Sequence, residues 1–291
     1  MCDEHYLEDL SRYVNRANLS RRKFGALSAS VGVSMLLPPV ANAQDVSERD
    51  VEIETPDGVA DAYFVHPAQG AHAGVLVWPD ALGLRPAFRE MGKRLAQCGY
   101  SVLTVNPFYR QRRAPVVPEG ATFQDESVRN VVMPLMQSLT PQTHVTDARA
   151  FIGWLDRQEA VDTRRKVGTT GYCMGGPIVM RTAATVPDRV GAAASFHGGG
   201  LVTSGEDSPH LLIPQMKASF LIAIAENDDE REPDVKNVLR KSFDDAGLSA
   251  EIEVYAGAAH GWCPPDMPVY NEAQAERAWS RLLALFETAL A

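Results

Sequence analysis

Short apolar runs that alternate with helical stretches constrain the fold of this chain more than any other sequence feature. Gly74–Trp78 is apolar throughout, which is typical of a strand that is buried on both faces of a sheet. A helical pattern follows over residues 86–97 and ends before Gly99. Strands separated by helices form a parallel sheet that is covered on both sides. We therefore predict an α/β fold with a mostly parallel central sheet and helices on both faces.

The other predicted elements follow the same alternation. An antiparallel pair of strands, Val51–Glu54 and Ala60–His66, is joined by the turn signal P-D-G. Apolar residues at helical spacing predict a helix over residues 145–155. Further strands are predicted at Ser101–Val105, Val167–Thr170, Ala192–Phe196, Phe220–Ala225 and Ile252–Tyr255, with a last helix over 271–289.

The stretch from Phe108 to His144 departs from this alternation. It contains four prolines and has weak periodicity. A connection of this length within a compact domain is usually functional or disordered. It also leaves the sheet at the carboxyl end of a strand, where α/β proteins bind their ligands. We expect it to form part of the wall of a substrate pocket.

Composition and charge exclude several classes of partner. The chain has 291 residues, of which 45% are hydrophobic, enough for one substantial core. Its formal net charge of −9 provides little field to attract nucleic acid or anionic lipid. It contains no run of 18 apolar residues, so no stable membrane span is predicted.

The first 43 residues have the features of an export signal. The stretch from Ser20 to Phe24, S-R-R-K-F, resembles a twin-arginine signal and precedes a mildly apolar segment. An A-x-A cleavage pattern ends at Ala43. We therefore expect residues 1–43 to engage the twin-arginine export machinery, and residues 44–291 to form the folded domain in the periplasm or outside the cell. The alternative is an amphipathic N-terminal helix with a chance arginine pair, on a cytoplasmic protein.

The cysteines do not predict a disulfide-stabilised fold or a metal site. The four are Cys2, Cys98, Cys173 and Cys263, and Cys2 would leave with the signal. Three cysteines cannot all pair within one chain, and none lies at metal-ligand spacing. Cys98 is interpreted as an apolar filler. We predict no metal and no cofactor.

The stretch from Gly171 to Gly176 carries the strongest chemical signal. It reads G-Y-C-M-G-G between a predicted strand and a predicted helix, which is a cysteine version of the nucleophile elbow G-x-S-x-G. Glycines on either side of the nucleophile allow the tight turn. The positive end of the following helix favours the thiolate of Cys173. The bland alternative is a glycine-rich turn with a buried cysteine.

An acid and a histidine follow in the order that α/β-hydrolases require. Asp228 comes after the strand Phe220–Ala225, and His260 comes after the next one. His260 would take the thiol proton and return it to the leaving group, while Asp228 would orient the imidazole. Asp229 competes with Asp228 for the acid role and is placed second. His197, at the end of another strand, is interpreted as a pocket-lining or core residue.

These motifs resemble those of the dienelactone hydrolase family over residues 51–290, which implies an α/β-hydrolase fold. The resemblance rests on the cysteine elbow, on W-P-D-A-L-G-L from Trp78, on N-P-F-Y-R from Asn106 and on A-H-G-W from Ala259. It implies cofactor-free hydrolysis of a small-molecule ester or lactone through an acyl-thioester. It also implies an oxyanion hole made by the backbone N–H groups of Met174 and Ala81.

Two positions depart from the family pattern. Asp80 stands where the family usually has a glutamate that holds the resting thiol. The arginine that usually follows the catalytic histidine is absent here, which leaves Arg110, backed by Arg112 and Arg113, to bind a substrate carboxylate. We expect Asp80 and Arg110 to contact substrate, although a solvated basic loop would explain the arginines equally well.

Two other classes of function stay open at this point. Cys173 and Cys263 could pair reversibly in a redox-regulated protein, because Cys263 lies three residues after His260. Alternatively, the fold could serve as a binding module that has lost turnover. Hydrolysis by the wild type, compared with Cys173→Ala, separates these alternatives from an esterase.

Overall fold

An eight-stranded sheet forms the centre of residues 37–291, the part of the chain that the computed structural model describes. The strands lie in the order β1-β2-β4-β3-β5-β6-β7-β8. β2 is antiparallel to both of its neighbours, and the pairs from β4 onwards are parallel. Their bounds are β1 Val46–Thr55, β2 Gly58–Pro67, β3 Gly74–Trp78, β4 Ser101–Val105, β5 Val167–Tyr172, β6 Val190–Phe196, β7 Ser219–Ala225 and β8 Ala250–Tyr255.

Helices cover both faces of this sheet. They are α1 Pro86–Gln97, α2 Glu126–Gln137, α3 Pro141–Leu155, α4 Gly175–Thr185, α5 Glu226–Arg231, α6 Val235–Asp245 and α7 Glu272–Ala289, with a 3-10 helix at Pro209–Gln215. The predicted fold class, an α/β-hydrolase fold with a mostly parallel sheet, is confirmed. No helix within residues 37–291 is long and apolar enough to span a membrane.

Alternate residues of the central strands build two separate cores. In β3, Leu76 and Trp78 belong to a cluster with α3, α4 and α6. Val75 and Val77 belong to a second cluster with α1 and α7 on the opposite face. All four are at most 1% exposed, so the unbroken apolar run reflects burial on both faces of the strand.

The long irregular connection after β4 contains more helix than the sequence analysis predicts. Val128, Val132 and Leu135 are buried at helical spacing in α2, and α3 begins at Pro141 rather than near residue 145. Pro134 is accommodated in the last turn of α2. At the start of α3, Thr140 and Thr143 satisfy each other's backbone N–H groups in a capping box.

Residues 1–36 of the predicted export signal lie outside the part of the chain that the structure describes. The amide of Gln44 donates to the carbonyl of Gln97, and β1 begins at Val46. The division into residues 1–43 and 44–291 stays a prediction.

The carboxyl ends of β3, β5, β6, β7 and β8 meet at one edge of the sheet. Asp80, Cys173, His197, Asp228 and His260 each follow one of these strands within five residues. The topology therefore collects at one edge the residues that the sequence analysis selects from separate parts of the chain.

Candidate active site

Cys173 occupies the strained turn between β5 and α4. Its φ is +55°, in the left-handed region that residues other than glycine seldom adopt. The turn is possible because its flanking positions are glycines. A Cβ on Gly171 would lie 2.3 Å from the carbonyl oxygen of Gly175, and a Cβ on Gly175 would lie 2.5 Å from that of Trp78. The thiol is thereby held directly before the N-terminus of α4.

His260 is oriented by Asp228 and not by Asp229. The Nδ1 atom of His260 lies 2.8 Å from Oδ2 of Asp228, and both side chains are less than one-fifth exposed. The backbone N–H of His260 also donates to Oδ1 of Asn227. Asp229 instead accepts from the Nζ of Lys236 at 2.5 Å. The geometry therefore favours Asp228 among the two candidate acids.

A cleft at this edge contains both Cys173 and His260. It encloses about 310 Å³ including its open mouth. Its lining residues are Asp80, Ala81, Leu82, Phe123, Cys173, His197, His260, Gly261 and Met267. Phe123 comes from the connection after β4, so that segment contributes to the pocket wall as expected.

Two backbone amides in this region are available as donors. Within the described residues, neither the N–H of Ala81 nor that of Met174 donates a hydrogen bond to another group. Ala81 lines the cleft, and Met174 immediately precedes the first residue of α4. The Oδ1 of Asp80 accepts from the N–H of Leu82 at 2.9 Å, which fixes the turn that carries Ala81.

Asp80 is bound to an arginine that the sequence analysis did not select. Arg85 Nη1 lies 2.6 Å from Oδ1 of Asp80, and Arg85 Nη2 lies 3.0 Å from Oδ2. The same guanidinium bridges to Asp266, with Nε 2.6 Å from Oδ2. Burial raises the pKa of Asp80, and the contact with Arg85 opposes that shift. This cluster links the turn after β3 to the loop after His260.

His197 is buried in the wall of the cleft, in agreement with its interpretation as a pocket-lining or core residue, and it contacts the backbone of Cys173. Its Nδ1 accepts from the backbone N–H of Cys173 at 3.1 Å, so its ring proton is assigned to Nε2. Its φ is +42°, and its ring centroid lies 5.0 Å from that of His260. Burial, and then the neighbouring His260, lower the pKa of His197 well below its ordinary value, so the ring stays neutral. In the sequence, the signal for a role of His197 in the site was its position directly after a predicted strand.

Arg110 is not among the residues that line the cleft, and its expected contact with substrate stays a prediction. Its Nη2 lies 2.7 Å from Oδ1 of Asp147 and 2.6 Å from Oδ2 of Asp57. Asp147 also accepts from the hydroxyl of Tyr109. Arg110 is therefore engaged in holding the loop after β4 against α3 and the β1–β2 turn. Arg113 pairs with the exposed Glu52, and Arg112 donates to a backbone carbonyl.

Cys98 and Cys263 lie away from this cleft. Cys263 lines a different cavity together with Tyr172 and Arg94, and burial raises its pKa well above the ordinary value. Cys98 and Cys263 are free thiols. Among residues 37–291, no three His, Cys, Asp or Glu side chains are grouped so that they could hold a metal ion.

The sequence matches a family and several curated proteins along most of its length. The sequence model of the Dienelactone hydrolase family matches residues 60–290. A Methylorubrum extorquens protein named "Putative carboxymethylenebutenolidase" is 25% identical over 285 residues, which cover 94% of each chain. A Synechocystis protein of the same name is 28% identical over 234 residues, covering 78% of this chain and 91% of that protein.

Solved structures share the fold. A Klebsiella pneumoniae protein named "Putative Dienelactone Hydrolase" superposes with a TM-score of 0.72 at 22% identity, covering 84% of this chain and all of that one. A dienelactone hydrolase-like promiscuous phosphotriesterase from metagenomic libraries gives 0.69 at 21% identity, with 84% and 99% covered. At these identities the structural likeness establishes the fold alone.

Proposed function

This chain belongs to the dienelactone hydrolase family, a family of carboxymethylenebutenolidase-like hydrolases, and on that premise we propose that it cleaves an ester or lactone with the thiolate of Cys173. His260 acts as the general base and acid, and Asp228 orients His260. The amides of Ala81 and Met174 stabilise the oxyanion.

The first half-reaction forms an acyl-thioester. His260 accepts the proton of the Cys173 thiol, and the sulfur attacks the carbonyl carbon of the substrate. The carbonyl oxygen becomes an oxyanion, which the two amides bind. The intermediate collapses when the carbon–oxygen bond to the leaving group breaks, and that alkoxide takes the proton from His260. Each donor to such an oxyanion is worth about 3 kcal/mol in the transition state.

The second half-reaction uses water. His260 removes a proton from a water molecule, whose oxygen attacks the thioester carbonyl. The carbon–sulfur bond then breaks, and His260 returns the proton to the Cys173 thiolate while the acid product leaves. No cofactor or oxidant enters this balance. Asp228 keeps the proton of neutral His260 on Nδ1, so that Nε2 can act as the base.

One observation carries this proposal. The 2.8 Å contact between His260 and Asp228 occurs on a histidine that shares one cleft with a cysteine held at φ +55° before a helix. A buried structural cysteine does not require left-handed backbone geometry, two flanking glycines and an oriented histidine. The combination supports a nucleophile.

The acyl-enzyme can be tested directly with 4-nitrophenyl butyrate. Acid quenching during turnover should trap a butyryl group on the peptide that contains Cys173, and hydroxylamine should release it as a hydroxamate. Cys173→Ala should show neither the adduct nor turnover, whereas Cys98→Ala should retain both. Full activity in Cys173→Ala, or an acyl group on a serine, would overturn the assignment.

We also propose that residues 1–43 direct export through the twin-arginine machinery, because the arginine pair, apolar segment and A-x-A pattern occur in the required order. Arg21→Lys combined with Arg22→Lys should leave the protein in the cytoplasm. The exported wild type should begin at Gln44. An exported chain that still begins at Met1 would contradict this proposal.

A further inference from the structure

The wall of the cleft beside Cys173 is mostly apolar. Ala81, Leu82, Phe123 and Met267 supply its hydrocarbon surface. All of the first three are at most 6% exposed, so they present packed side chains rather than a mobile rim. The space of about 310 Å³ includes the open mouth of the cleft, so the part that these side chains enclose is small and suits a short acyl group.

The one acidic side chain in this wall is held in its ionised form by its neighbours. The Oδ1 of Asp80 receives two donors, the Leu82 N–H and Nη1 of Arg85, and Oδ2 receives Nη2 of Arg85. All three of these partners are donors, and a protonated acid would place its own proton against one of them.

The counter-charge of Asp80 is shared with a second carboxylate. Arg85 makes two further hydrogen bonds to Asp266, so one guanidinium faces two carboxylates and the cluster carries a net charge of about −1. A substrate anion that enters the cleft therefore meets a negative field.

The arginine expected to bind such an anion is committed elsewhere. Arg110 makes four hydrogen bonds to Asp57 and Asp147, and it lies outside the cleft. Releasing it toward substrate would leave Asp147, whose side chain is 2% exposed, without its cation. That cost makes the pairing a stable feature of the fold.

We propose that this cleft selects esters and lactones whose acyl part is short, neutral and apolar, and that it discriminates against acyl parts that carry a carboxylate. The inference rests on the proposed hydrolysis at Cys173. A carboxylate in this position would lose water, meet the shared negative charge of Asp80 and Asp266, and face a wall that is mostly hydrocarbon. A methyl-terminated chain gains the same contacts without the repulsion.

The proposal can be tested with two esters of matched size, one neutral and one anionic. In 4-nitrophenyl 4-methylpentanoate the acyl chain ends in an isopropyl group, and in 4-nitrophenyl hemisuccinate a carboxylate takes that place. The purified full chain should hydrolyse the neutral ester with a kcat/KM about 30-fold or more above that of the anionic one at low ionic strength. Salt at about 0.5 M should reduce the ratio, because screening weakens the repulsion.

A pair of charge-removing variants assigns the effect to this cluster. Asp266→Asn keeps an oxygen acceptor for Arg85 and removes one negative charge, so the kcat/KM ratio of anionic to neutral ester should rise about 3- to 10-fold. Asp57→Asn makes the same change beside Arg110, away from the cleft, and should leave the ratio unchanged.

The outcomes separate the two proposals. Equal kcat/KM for both esters, or faster hydrolysis of the hemisuccinate by the wild type, would overturn the charge selection while leaving the nucleophile assignment intact. The charge selection would also be overturned if salt left the kcat/KM ratio of the two esters unchanged and Asp266→Asn gave the same ratio as Asp57→Asn. If neither ester is hydrolysed above the rate of Cys173→Ala, the proposed hydrolysis itself fails, and the selection fails with it.

Discussion

Two regions of this molecule contain the same set of side chains. In each, one arginine lies between two aspartates and a neutral histidine is buried nearby. At the cleft the set is Asp80, Arg85, Asp266 and His197, and beyond β4 it is Asp57, Arg110, Asp147 and His144. The first set contributes two residues to the wall of the cleft and the second contributes none. Residue types alone therefore do not distinguish a functional cluster from a structural one.

The difference lies in what each arginine connects. Arg85 links the turn that carries Ala81 to the loop that follows His260, so its contacts fix groups on two sides of the cleft. Arg110 links the loop after β4 to α3 and to the β1–β2 turn. We therefore expect substitutions in the first region to change catalysis, and substitutions in the second to change stability.

The largest contrast should come from one substitution at the acid that contacts His260 and one substitution in the second region. Asp228→Asn removes the charge that orients His260 and should lower kcat by about 10³- to 10⁴-fold. Asp147→Asn should keep kcat within about twofold but destabilise the fold by about 3 kcal/mol, because it breaks a buried ion pair. Steady-state kinetics and urea unfolding of both variants give the comparison. A large loss of activity in folded Asp147→Asn would contradict the division.

Substitutions of Arg85 and Arg110 should differ in their effect on kcat/KM, by a smaller factor than the pair above. Arg85→Met leaves Asp80 and Asp266 without their cation and loosens the turn that presents the Ala81 amide, so kcat/KM for a neutral ester should fall about 100-fold. Arg110→Met should lower the melting temperature while kcat/KM changes little. Both are measured below the lower of the two melting temperatures. Equal kinetic losses would mean that Arg110 also supports the cleft.

The two buried histidines allow a third comparison. His197→Phe removes the Nδ1 acceptor for the Cys173 amide, which still has the carbonyl of Phe196 at 3.0 Å, so kcat should fall about tenfold. His197→Asn should recover part of this loss, because asparagine offers an acceptor and tolerates a positive φ. His144→Phe should leave kcat unchanged. If His197→Asn is as slow as His197→Phe, the amide contact is not the cause.

The last comparison concerns acid stability. Burial, then the charges of Arg181 and Arg110, lower the pKa of His144 to about 3. The unfolded chain takes up a proton near pH 6.5, so His144 contributes stability above that pH and loses it progressively as the pH falls towards 3. His144→Leu should reduce the slope of unfolding free energy in this window by about 1.4 kcal/mol per pH unit. The remaining slope should include His197, and an unchanged slope would show that His144 is protonated in the fold.

Local sequence patterns were sufficient for most of the fold. Gly74–Trp78, Ser101–Val105 and the helix over 86–97 are observed with the predicted bounds, because continuous apolar runs and glycine stops reflect burial and chain termination directly. The helix α2 was missed because its one proline, Pro134, and its short stripe of buried residues give a weak helical pattern. For the site, the glycines around Cys173 and the order of Asp228 and His260 were readable, since a tight turn and a chain order are local properties.

The amino-acid sequence by itself determined the alternating α/β architecture, the family and the cysteine elbow, because each is encoded by neighbouring residues. Only the tertiary structure decided which arginine accompanies the cleft. Arg85 and Asp266 are 181 positions apart, and Arg110 and Asp147 are 37 apart, so neither partnership leaves a local pattern. An ion pair depends on where two side chains end after the sheet has assembled. The spacing of charges along the chain does not carry that information.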